Sequence, residues 1–438
     1  MNRLFLLVLL FAASLPTRAD LTIEITQGVE GALPIAVVPF AWRGDAGLLP
    51  PQAVGEVVAA DLRRSGRFKP LPKGEMLARP SRGEDVDFRD WRALNVENLV
   101  IGDVSPNGPG GYLVKFYLYD VFRGEQITGF SVPTTARDLR ATAHHIADII
   151  YETLTGEPGA FATRIAYVTS IRSGEEGQNE KIELRIADAD GYNPQTIVSS
   201  KEPIMSPAWS PDGRKLAYVS FEDTQPSIWV QEVFTGKREK MTAFKGINGA
   251  PAWSPDGRFL ALTLSKDGNP DIFVMDIARR SLRPLTRHWS IDTEPAWAPD
   301  GKSLVFTSDR GGSPQIYRVS VNGGEASRIS FEGTYNARAS YSPDGRLLTM
   351  VTRVDGQYRI ATMDASGRDF RVMSTGRLDE SPSFAPNGSM LIYATRVNGK
   401  GVLAAVSTDG RVQQRLRLQQ GDVREPVWSP YHQQERNR

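Results

Sequence analysis

The stretch PAWSPDGRKL at residues 207–216 decides the fold, because copies of it recur at a constant spacing along the second part of the 438-residue chain. Close copies begin at Pro251 and Pro295, weaker ones at Ala339 and Pro382, and a truncated one at Pro426. The aromatic residues of the copies are Trp209, Trp253, Trp297, Tyr341, Phe384 and Trp428, at intervals of 44, 44, 44, 43 and 44 residues. A constant period of this length indicates an array of blades.

Each repeat contains the material for four short strands. Its Ser-Pro-Asp-Gly segment predicts a turn, since proline presets φ and Asp-Gly supplies a side-chain hydrogen bond and a residue that accepts positive φ. Short β-rich runs follow the turn, for example at 303–308, 315–320 and 325–330. Four strands per repeat predict a β-propeller.

The repeat count predicts six blades that close on themselves. The first copy of the second strand, at 164–170, has no inner strand before it, and the last inner strand, at Pro426, has no further strands after it. Pairing of these two strands would close the ring and remove exposed strand edges. We therefore predict an all-β six-bladed β-propeller over residues 157–438.

Residues 20–156 lack the repeat and predict a separate α/β amino-terminal domain. An apolar run at 35–40 and a helical pattern at 52–64 precede strand-like runs between 98 and 132. The segment 138–154 has apolar residues at helical spacing. A small sheet covered by two main helices is the expected layer structure.

Residues 1–19 have the pattern of a secretory signal. Arg3 gives a positive start, an apolar run covers 4–15, and Thr17-Arg18-Ala19 offers small residues at the positions a signal peptidase reads. The run is too short for a transmembrane helix, which needs about 20 residues. We predict cleavage after Ala19, so that the mature chain begins at Asp20.

The composition excludes several classes of function. The sequence contains no cysteine, so it offers no disulfide, thiolate metal site or lipid-modified cysteine. Removing Arg3 and Arg18 from the 52 basic residues leaves 50 against 51 acidic ones, a formal charge of −1. No concentrated basic run is present, and a nucleic-acid partner is therefore not expected.

The sequence carries no recognisable catalytic motif. Its four histidines lack metal-binding spacing, and His144 and His145 are interpreted as surface or packing residues of the helix at 138–154. No Gly-x-Ser-x-Gly motif occurs. We expect no enzyme activity, no metal and no cofactor. The alternative is a propeller enzyme or sensor that acts on a carbohydrate or small ligand in the channel, since sequence alone leaves a pair of carboxylates across the channel open.

The predicted mature amino terminus, residues 20–31, alternates apolar and polar residues before a glycine-containing break. Leu21, Ile23 and Ile25 share one face of an extended strand. We expect this segment to be mobile or to pair as an edge strand of the small domain or of a partner.

Motifs along the whole predicted mature chain resemble the TolB family. Those of the propeller are RIAYV at 164–168, DGYN at 190–193, MSPAWSPDG at 205–213, NGAPAWSPDG at 248–257, STDGR at 407–411 and WSPY at 428–431. Those of the small domain are PIAVVPF at 34–40 and AADLRRSGRF at 59–68, and they are more specific than a propeller repeat.

The resemblance implies a periplasmic component of the Tol-Pal system, which supports outer-membrane integrity and envelope constriction during cell division. It implies that the propeller binds the peptidoglycan-associated lipoprotein Pal and that colicins exploit the same surface. It further implies that the mature amino terminus binds TolA, with Asp20, Leu21, Ile23 and Ile25 as the expected contacts. Contacts with other outer-membrane proteins and a monomeric state are additional expectations.

The loops that lead into the inner strands are expected to gather at one mouth of the channel, opposite the Ser-Pro-Asp-Gly turns. The residues expected to bind a partner there are Met205, Ile247, Asn248, Ala250, Asp292, Thr293, Glu294, Asn336, Arg338, Asp379, Glu380, Arg424 and Glu425. The loop around Asn248 is most similar to the Pal-contacting loop of the family, in which histidine often stands at the position of Ile247. The competing interpretation of Glu294 and Glu425 is that a residue before proline only fixes entry into the strand.

Overall fold

The computed structural model describes residues 23–27, 31–45, 47, 49–173, 179–416 and 421–431. The predicted signal segment, 1–19, and the predicted TolA contacts Asp20 and Leu21 lie outside these residues. Within the described ranges, no helix is long and apolar enough to cross a membrane.

The small domain is a mixed sheet with helices on both faces. The first described strand, β1 (Ile23–Gln27), precedes this domain in the sequence and is not part of its sheet. The elements of the domain are β2 (Leu33–Val37), β3 (Ala41–Trp42), α1 (Val54–Arg64), β4 (Phe68–Pro70), the 3-10 turns Lys73–Glu75 and Gly83–Asp85, α2 (Phe88–Ala93), β5 (Asn98–Pro106), β6 (Gly111–Asp120), β7 (Glu125–Thr135) and α3 (Leu139–Thr155). The sheet order is β4-β2-β5-β6-β7, with β3 pairing β5.

Helices α1 and α3 pack on one face of this sheet because each presents an apolar stripe to it. Val58 and Leu62 of α1 meet Ile146 and Ile150 of α3 over the buried strand residue Phe116. The smaller α2 covers the opposite face through Trp91. The two-helix layer predicted from the sequence is therefore present, and α2 is an addition to it.

The propeller has six blades among the described residues. Blade 1 contains β8 (Arg164–Ser173), β9 (Asn179–Asp188), β10 (Gln195–Ser200) and the last described strand, β31 (Asp422–Trp428). Blades 2 and 3 contain, in order, β11 (Ile204–Trp209), β12 (Lys215–Ser220), β13 (Ser227–Glu232) and β14 (Arg238–Thr242), then β15 (Asn248–Trp253), β16 (Phe259–Leu264), β17 (Asp271–Asp276) and β18 (Ser281–Pro284).

Blades 4 and 5 contain, in order, β19 (Asp292–Trp297), β20 (Ser303–Ser308), β21 (Gln315–Ser320) and β22 (Ser327–Arg328), then β23 (Asn336–Tyr341), β24 (Leu347–Val354), β25 (Gln357–Asp364) and β26 (Arg371–Val372). Blade 6 contains β27 (Glu380–Phe384), β28 (Met390–Val397), β29 (Lys400–Ser407) and β30 (Gln413–Leu416).

The ring closes through the two ends of the repeat, which confirms the predicted pairing. Strand β31 pairs antiparallel with β8, with Trp428 opposite Ile165. The N–H of Ser429 also donates to the carbonyl of Arg164 at 2.8 Å.

The repeated Ser-Pro-Asp-Gly segments form the predicted turns. In blade 3, the Ser254 hydroxyl donates to Asp256 Oδ1 at 2.6 Å, and the same oxygen accepts the N–H of Arg258 at 3.1 Å. Gly257 has a φ of 70°, which glycine adopts without strain. The repeated aspartate thus has a structural role in the turn.

The repeated tryptophans connect neighbouring blades. The indole N–H of Trp253 donates to the carbonyl of Ala208 in blade 2, and that of Trp297 donates to Ala252 in blade 3, both at 3.1 Å. Trp209 makes the corresponding bond to Val427 of blade 1 at 3.3 Å. These residues therefore belong to the blade-to-blade core, as their fixed strand position indicates.

The strand β1 pairs with the propeller, which corrects the expectation that it would be an edge strand of the small domain. Its backbone runs antiparallel to β30, with Ile23 opposite Leu416 and Ile25 opposite Gln414. It thereby becomes the fifth and outermost strand of blade 6.

The small domain packs against blades 6 and 1. The Gln414 side chain in β30 of blade 6 donates to the main-chain carbonyl of Arg64 in α1, and Arg140 of α3 pairs with Asp190 in the turn after β9 of blade 1. The proposed domain boundary at residue 156 falls directly after the last residue of α3, Thr155.

Candidate functional site: the mouth of the propeller channel

The inner strands of all six blades begin at the same end of the channel. They are β11, β15, β19, β23, β27 and β31, and each contacts the next around the ring. Their first residues therefore form one mouth, and the Ser-Pro-Asp-Gly turns lie at the other end.

A bulge interrupts every inner strand one to three residues after its start. The register with the second strand shifts at this point in all six blades. The bulged residues are in the left-handed region, with φ between 44° and 56°: Ser206, Ala250, Glu294, Arg338, Ser381 and Glu425. Left-handed backbone is costly for residues other than glycine, and such residues are concentrated at functional sites.

The left-handed residues correct the interpretation that the Glu-Pro pairs only fix entry into the strand. A residue before proline favours extended backbone, whereas Glu294 and Glu425 have φ of 55° and 49°. The side chains of both glutamates also form specific bonds. They are therefore held in place by the surrounding structure at an energetic cost.

Three charged bulge residues meet near the channel. Arg338 Nη2 lies 3.1 Å from Glu425 Oε2, joining blade 5 to blade 1, and Glu425 also accepts the N–H of Ser206. Glu294 accepts a hydrogen bond from the Thr307 hydroxyl at 2.9 Å. Burial would lower the pKa of Arg338, but Glu425 and Glu294 raise it above its ordinary value, so this guanidinium stays charged.

Four of the predicted contact residues are buried and cannot offer contact surface. Asn248, Asp292, Asn336 and Asp379 are between 0% and 1% exposed. They occupy equivalent positions at the start of, or just before, an inner strand. The expectation that their side chains touch a partner directly is therefore corrected.

Their hydrogen bonds show what these four residues do. The Asn248 amide donates to the carbonyls of Phe244 and Gly246, and both Asp292 oxygens accept from Arg310 Nη2, at 2.9 and 2.7 Å. Asn336 and Asp379 bond to loop backbone in the same manner. These residues shape the mouth loops from beneath.

The other predicted mouth residues reach the surface to different degrees. Met205, Ile247 and Arg424 are exposed. Those that are half-buried are Ala250, Thr293, Glu294, Arg338, Glu380 and Glu425. Ile247 is thus an exposed apolar side chain.

An apolar rim, which the sequence patterns did not predict, surrounds the mouth. We use this name for Met205, Phe244, Ile247, Trp289, Ile291, Phe331 and Leu378, which are seven of the fourteen large apolar side chains exposed among the described residues. Except for Met205 in β11, they lie in the loops before inner strands. Trp289 is the most exposed, at 80%.

The sequence does contain a signal for this rim. Ile247 and Ile291 stand directly before the predicted inner strands of blades 3 and 4, where a continued strand would bury alternate apolar residues. The structure instead ends the loop there, because Asn248 and Asp292 turn inward. An apolar residue directly before the repeated Asn or Asp that closes a loop is therefore the sequence pattern that predicts an exposed rim residue.

The channel widens behind the bulges into a cavity of about 640 Å³. Inner-strand aromatics and turn prolines line it, and Glu294 and Arg338 are its two charged lining residues among those described. Chemistry with two carboxylates facing a sugar needs a pair of acids around the ligand. The cavity lining supplies one.

Comparisons with known proteins agree along both domains. Residues 21–127 match the family described as TolB amino-terminal domain, and residues 151–432 match the TolB beta propeller domain. A Tol-Pal system protein TolB of Thioalkalivibrio sulfidiphilus is 58% identical over 427 residues, which are 97% of this chain and 97% of that protein. One of Nitrosococcus oceani is 54% identical over 232 residues, 53% of this chain and 52% of that protein.

A solved structure extends the likeness to three dimensions. The crystal structure of TolB from Acinetobacter baumannii matches with a TM-score of 0.85 at 41% identity, covering 94% of this chain and 100% of that one. It therefore agrees with the arrangement of small domain and six-bladed propeller described above. The chain belongs to the TolB family.

Proposed function

We propose that the chain is a periplasmic protein-binding component of the Tol-Pal system, whose propeller mouth binds the lipoprotein Pal and whose amino terminus binds TolA. The observation that carries the proposal is the apolar rim around a charged channel opening. Membership of the TolB family, whose relatives are named Tol-Pal system proteins, supports this choice of partners. In this role the protein supports outer-membrane integrity and envelope constriction during division.

The rim has the composition of a protein-binding surface. Exposed apolar residues gathered in one place, surrounded by polar groups, are typical of interaction sites. Trp289 and Phe331, exposed by 80% and 67%, are large aromatic side chains of the kind that dominate binding energy when a partner covers them. The charged Glu425 and Arg338 at the centre favour one orientation of a complementary partner.

The amino-terminal segment is suited to exchange between the propeller and TolA. Strand β1 pairs only with the four-residue strand β30 among the described residues, and its register shifts between Ile25 and Gln27. A short, irregular edge pairing costs little to replace, and main-chain pairing can be re-made on a partner's sheet edge.

Calorimetric titration of the mature chain tests the Pal part of the proposal. The periplasmic domain of the cognate Pal is expected to bind one-to-one, and Trp289→Ala is expected to weaken binding about thirtyfold, because truncation of a large aromatic side chain that a partner covers costs about 2 kcal/mol. Leu77→Ala is the matched control, since Leu77 is 65% exposed but lies on the small domain. Absence of binding by the unaltered chain, or equal binding by both variants, would contradict the proposal.

A deletion tests the TolA part separately. A mature chain that lacks residues 20–27 is expected to lose binding to the periplasmic domain of TolA while it retains Pal within a few fold. Unchanged TolA binding by the deleted chain would move the TolA site elsewhere.

A further inference from the structure

A buried cluster of charged side chains lies where the small domain meets blade 1. Asp61 and Arg64 belong to α1, and Arg140 and His144 to α3. Asp190 comes from the turn after β9 of the propeller. All but Arg140 are at most 8% exposed, and Asp61 and His144 are 1% and 2% exposed.

His144 lies between one carboxylate of each domain. Its Nδ1 is 2.5 Å from Asp61 Oδ2 on the small-domain side, and its Nε2 is 3.9 Å from Asp190 Oδ2 on the propeller side. A neutral imidazole has one N–H and would turn a lone pair toward one of these carboxylates. Imidazolium has an N–H on each nitrogen and therefore presents a positive N–H group to both carboxylates.

The charges around His144 support the protonated form. Burial alone would lower the pKa of His144, but Asp61 and Asp190 raise it above its ordinary value. Burial would raise the pKa of Asp190, while His144 and Arg140 lower it, so this carboxyl stays ionised.

The cluster is an ion-pair network in which each of the two carboxylates, Asp61 and Asp190, already has an arginine partner. Arg64 Nε donates to Asp61 Oδ1 at 2.9 Å, and Arg140 pairs with Asp190 while its guanidinium lies 3.9 Å from the centre of the Tyr192 ring. A metal ion placed among these side chains would meet two guanidinium groups at close range. The charge arrangement therefore favours a proton over a cation as the titrating species.

We propose that His144 is a proton-dependent latch between the small domain and the propeller, closed when the imidazole is charged and weakened when it is neutral. Asp61 holds the ring on the small domain, and the attraction to Asp190 reaches across the seam. The latch acts within the chain and needs no partner.

The neighbouring charges give the pH dependence its sign. A histidine with a raised folded-state pKa stabilises the closed interface fully below its unfolded pKa of about 6.5, and this contribution is lost as pH rises through the folded value. Burial raises the pKa of Asp148 on α3 to about 7, against two main-chain N–H donors, and burial also raises that of Asp188 at the end of β9. Both carboxyls become anionic as pH rises. Because the folded state favours the protonated forms of His144, Asp148 and Asp188, loss of these protons lowers the stability of the closed state as pH rises. Ionised Asp188 gains attraction to Arg140 Nε, 3.8 Å away, which partly offsets this loss.

The latch also reaches the strand that holds the amino terminus. The Gln414 side chain in β30 donates to the main-chain carbonyl of Arg64, and Gln414 lies opposite Ile25 of β1. Movement of α1 away from the propeller would therefore disturb the partner strand of β1.

Nuclear magnetic resonance of the mature chain labelled with 15N-histidine tests the protonation directly. The sequence has four histidines, and His→Gln variants of each assign the signals. His144 is expected to titrate above the ordinary value of about 6.5, and Asp190→Asn is expected to lower its pKa, since one of its two opposing carboxylates becomes neutral. The exposed Asp267→Asn is the matched control and should leave His144 unchanged.

Hydrogen–deuterium exchange, corrected for the intrinsic rate at each pH, tests the opening of the seam. Residues 139–147 and 188–192 are expected to exchange faster near pH 8.5 than near pH 6, across the range in which histidine loses its charge. His144→Gln should show the fast exchange at both pH values, and His145→Gln, one residue along α3, should behave as the unaltered chain does.

The proposal is overturned if His144 titrates at or below 6.5, if Asp190→Asn leaves its pKa unchanged, or if exchange at the seam is independent of pH. Should His144→Gln fail to fold, Asp190→Asn carries the same test, because Asp190 lies on the propeller and its replacement leaves the α1–α3 contacts in place.

Discussion

At the scale of single residues, the mouth depends on backbone that most side chains avoid. Ala250 has a φ of 44° in the bulge of blade 3, whereas Ala252 of the same strand pairs regularly with Ala261. The equivalent bulge in the other blades holds serine, glutamate or arginine, and glycine at none of the six positions. The side chains at these positions thus remain at the channel mouth, and the left-handed backbone that places them there costs some stability.

Glycine substitution is expected to change the free energy of unfolding differently at the two alanines of β15. Ala250→Gly relieves a left-handed residue worth about 1 kcal/mol, which offsets the entropy cost of glycine, so stability is expected to stay level or to rise. Ala252→Gly has no such relief and is expected to lose about 1 kcal/mol. Chemical denaturation measures both, and equal losses would show that the bulge carries no strain.

Asp292 should prove to be a supporting residue. Its carboxylate is fully buried against Arg310, and removing one partner of a buried pair costs about 3 to 5 kcal/mol. Asp292→Ala is therefore expected to lower the free energy of unfolding by that amount. Arg424→Ala, at an exposed mouth position, should change it by less than about 0.5 kcal/mol. A small effect of Asp292→Ala on stability would return this residue to the set of direct contacts.

At the scale of elements, the propeller is held by bonds that run from blade to blade. The indole of Trp253 reaches the backbone of blade 2, and equivalent aromatic residues repeat around the ring. Blade 6 has Phe384 at this position, which lacks an N–H. The fold therefore accepts phenylalanine at this position. The difference in stability between a chain with tryptophan and one with phenylalanine there measures the contribution of the indole hydrogen bond and of the larger ring.

Trp253→Phe is expected to fold and to lose about 1 to 3 kcal/mol, from one hydrogen bond and the smaller ring. Thermal unfolding followed by circular dichroism provides the measurement. An unchanged melting temperature would mean that water replaces the indole N–H without cost.

The sequence predicts elements well where period and chemistry agree. The 44-residue repeat places all six inner strands, and the spacing of Leu139, Ile146 and Ile150 places α3. The mouth could be located in the same way, since every inner strand starts at one end. These features follow from local spacing alone.

What the sequence does not contain is the pairing of distant residues. His144 looked like a surface or packing residue of α3, yet Asp61 and Asp190 meet it from positions far along the chain. Strand β1 resembled an edge strand of its own domain, whereas its partner β30 lies almost 400 residues away. Asn248 lies in the loop that resembles the Pal-contacting loop of the family, which predicts a contact residue, whereas its bond to Phe244 shows a structural role.

At the scale of the whole molecule, two surfaces are joined by one seam. The mouth lies at one end of the channel, β1 lies on the outer edge of blade 6, and the charged cluster around His144 connects the small domain to the blades between them. Because Gln414 of β30 donates to the carbonyl of Arg64 beside this cluster, a change at the seam would alter the strand that pairs with β1, and by linkage binding at β1 would alter the seam.

Binding of Pal at the propeller mouth is tested most directly by the hydrogen-exchange footprint of the periplasmic domain of Pal on the mature chain. Pal is expected to protect the mouth segments 244–251, 289–295, 331–338, 378–382 and 424–426 and to leave exchange at the Ser-Pro-Asp-Gly turns unchanged. Protection of the turns or of the outer strands, with the mouth segments unaffected, would contradict it.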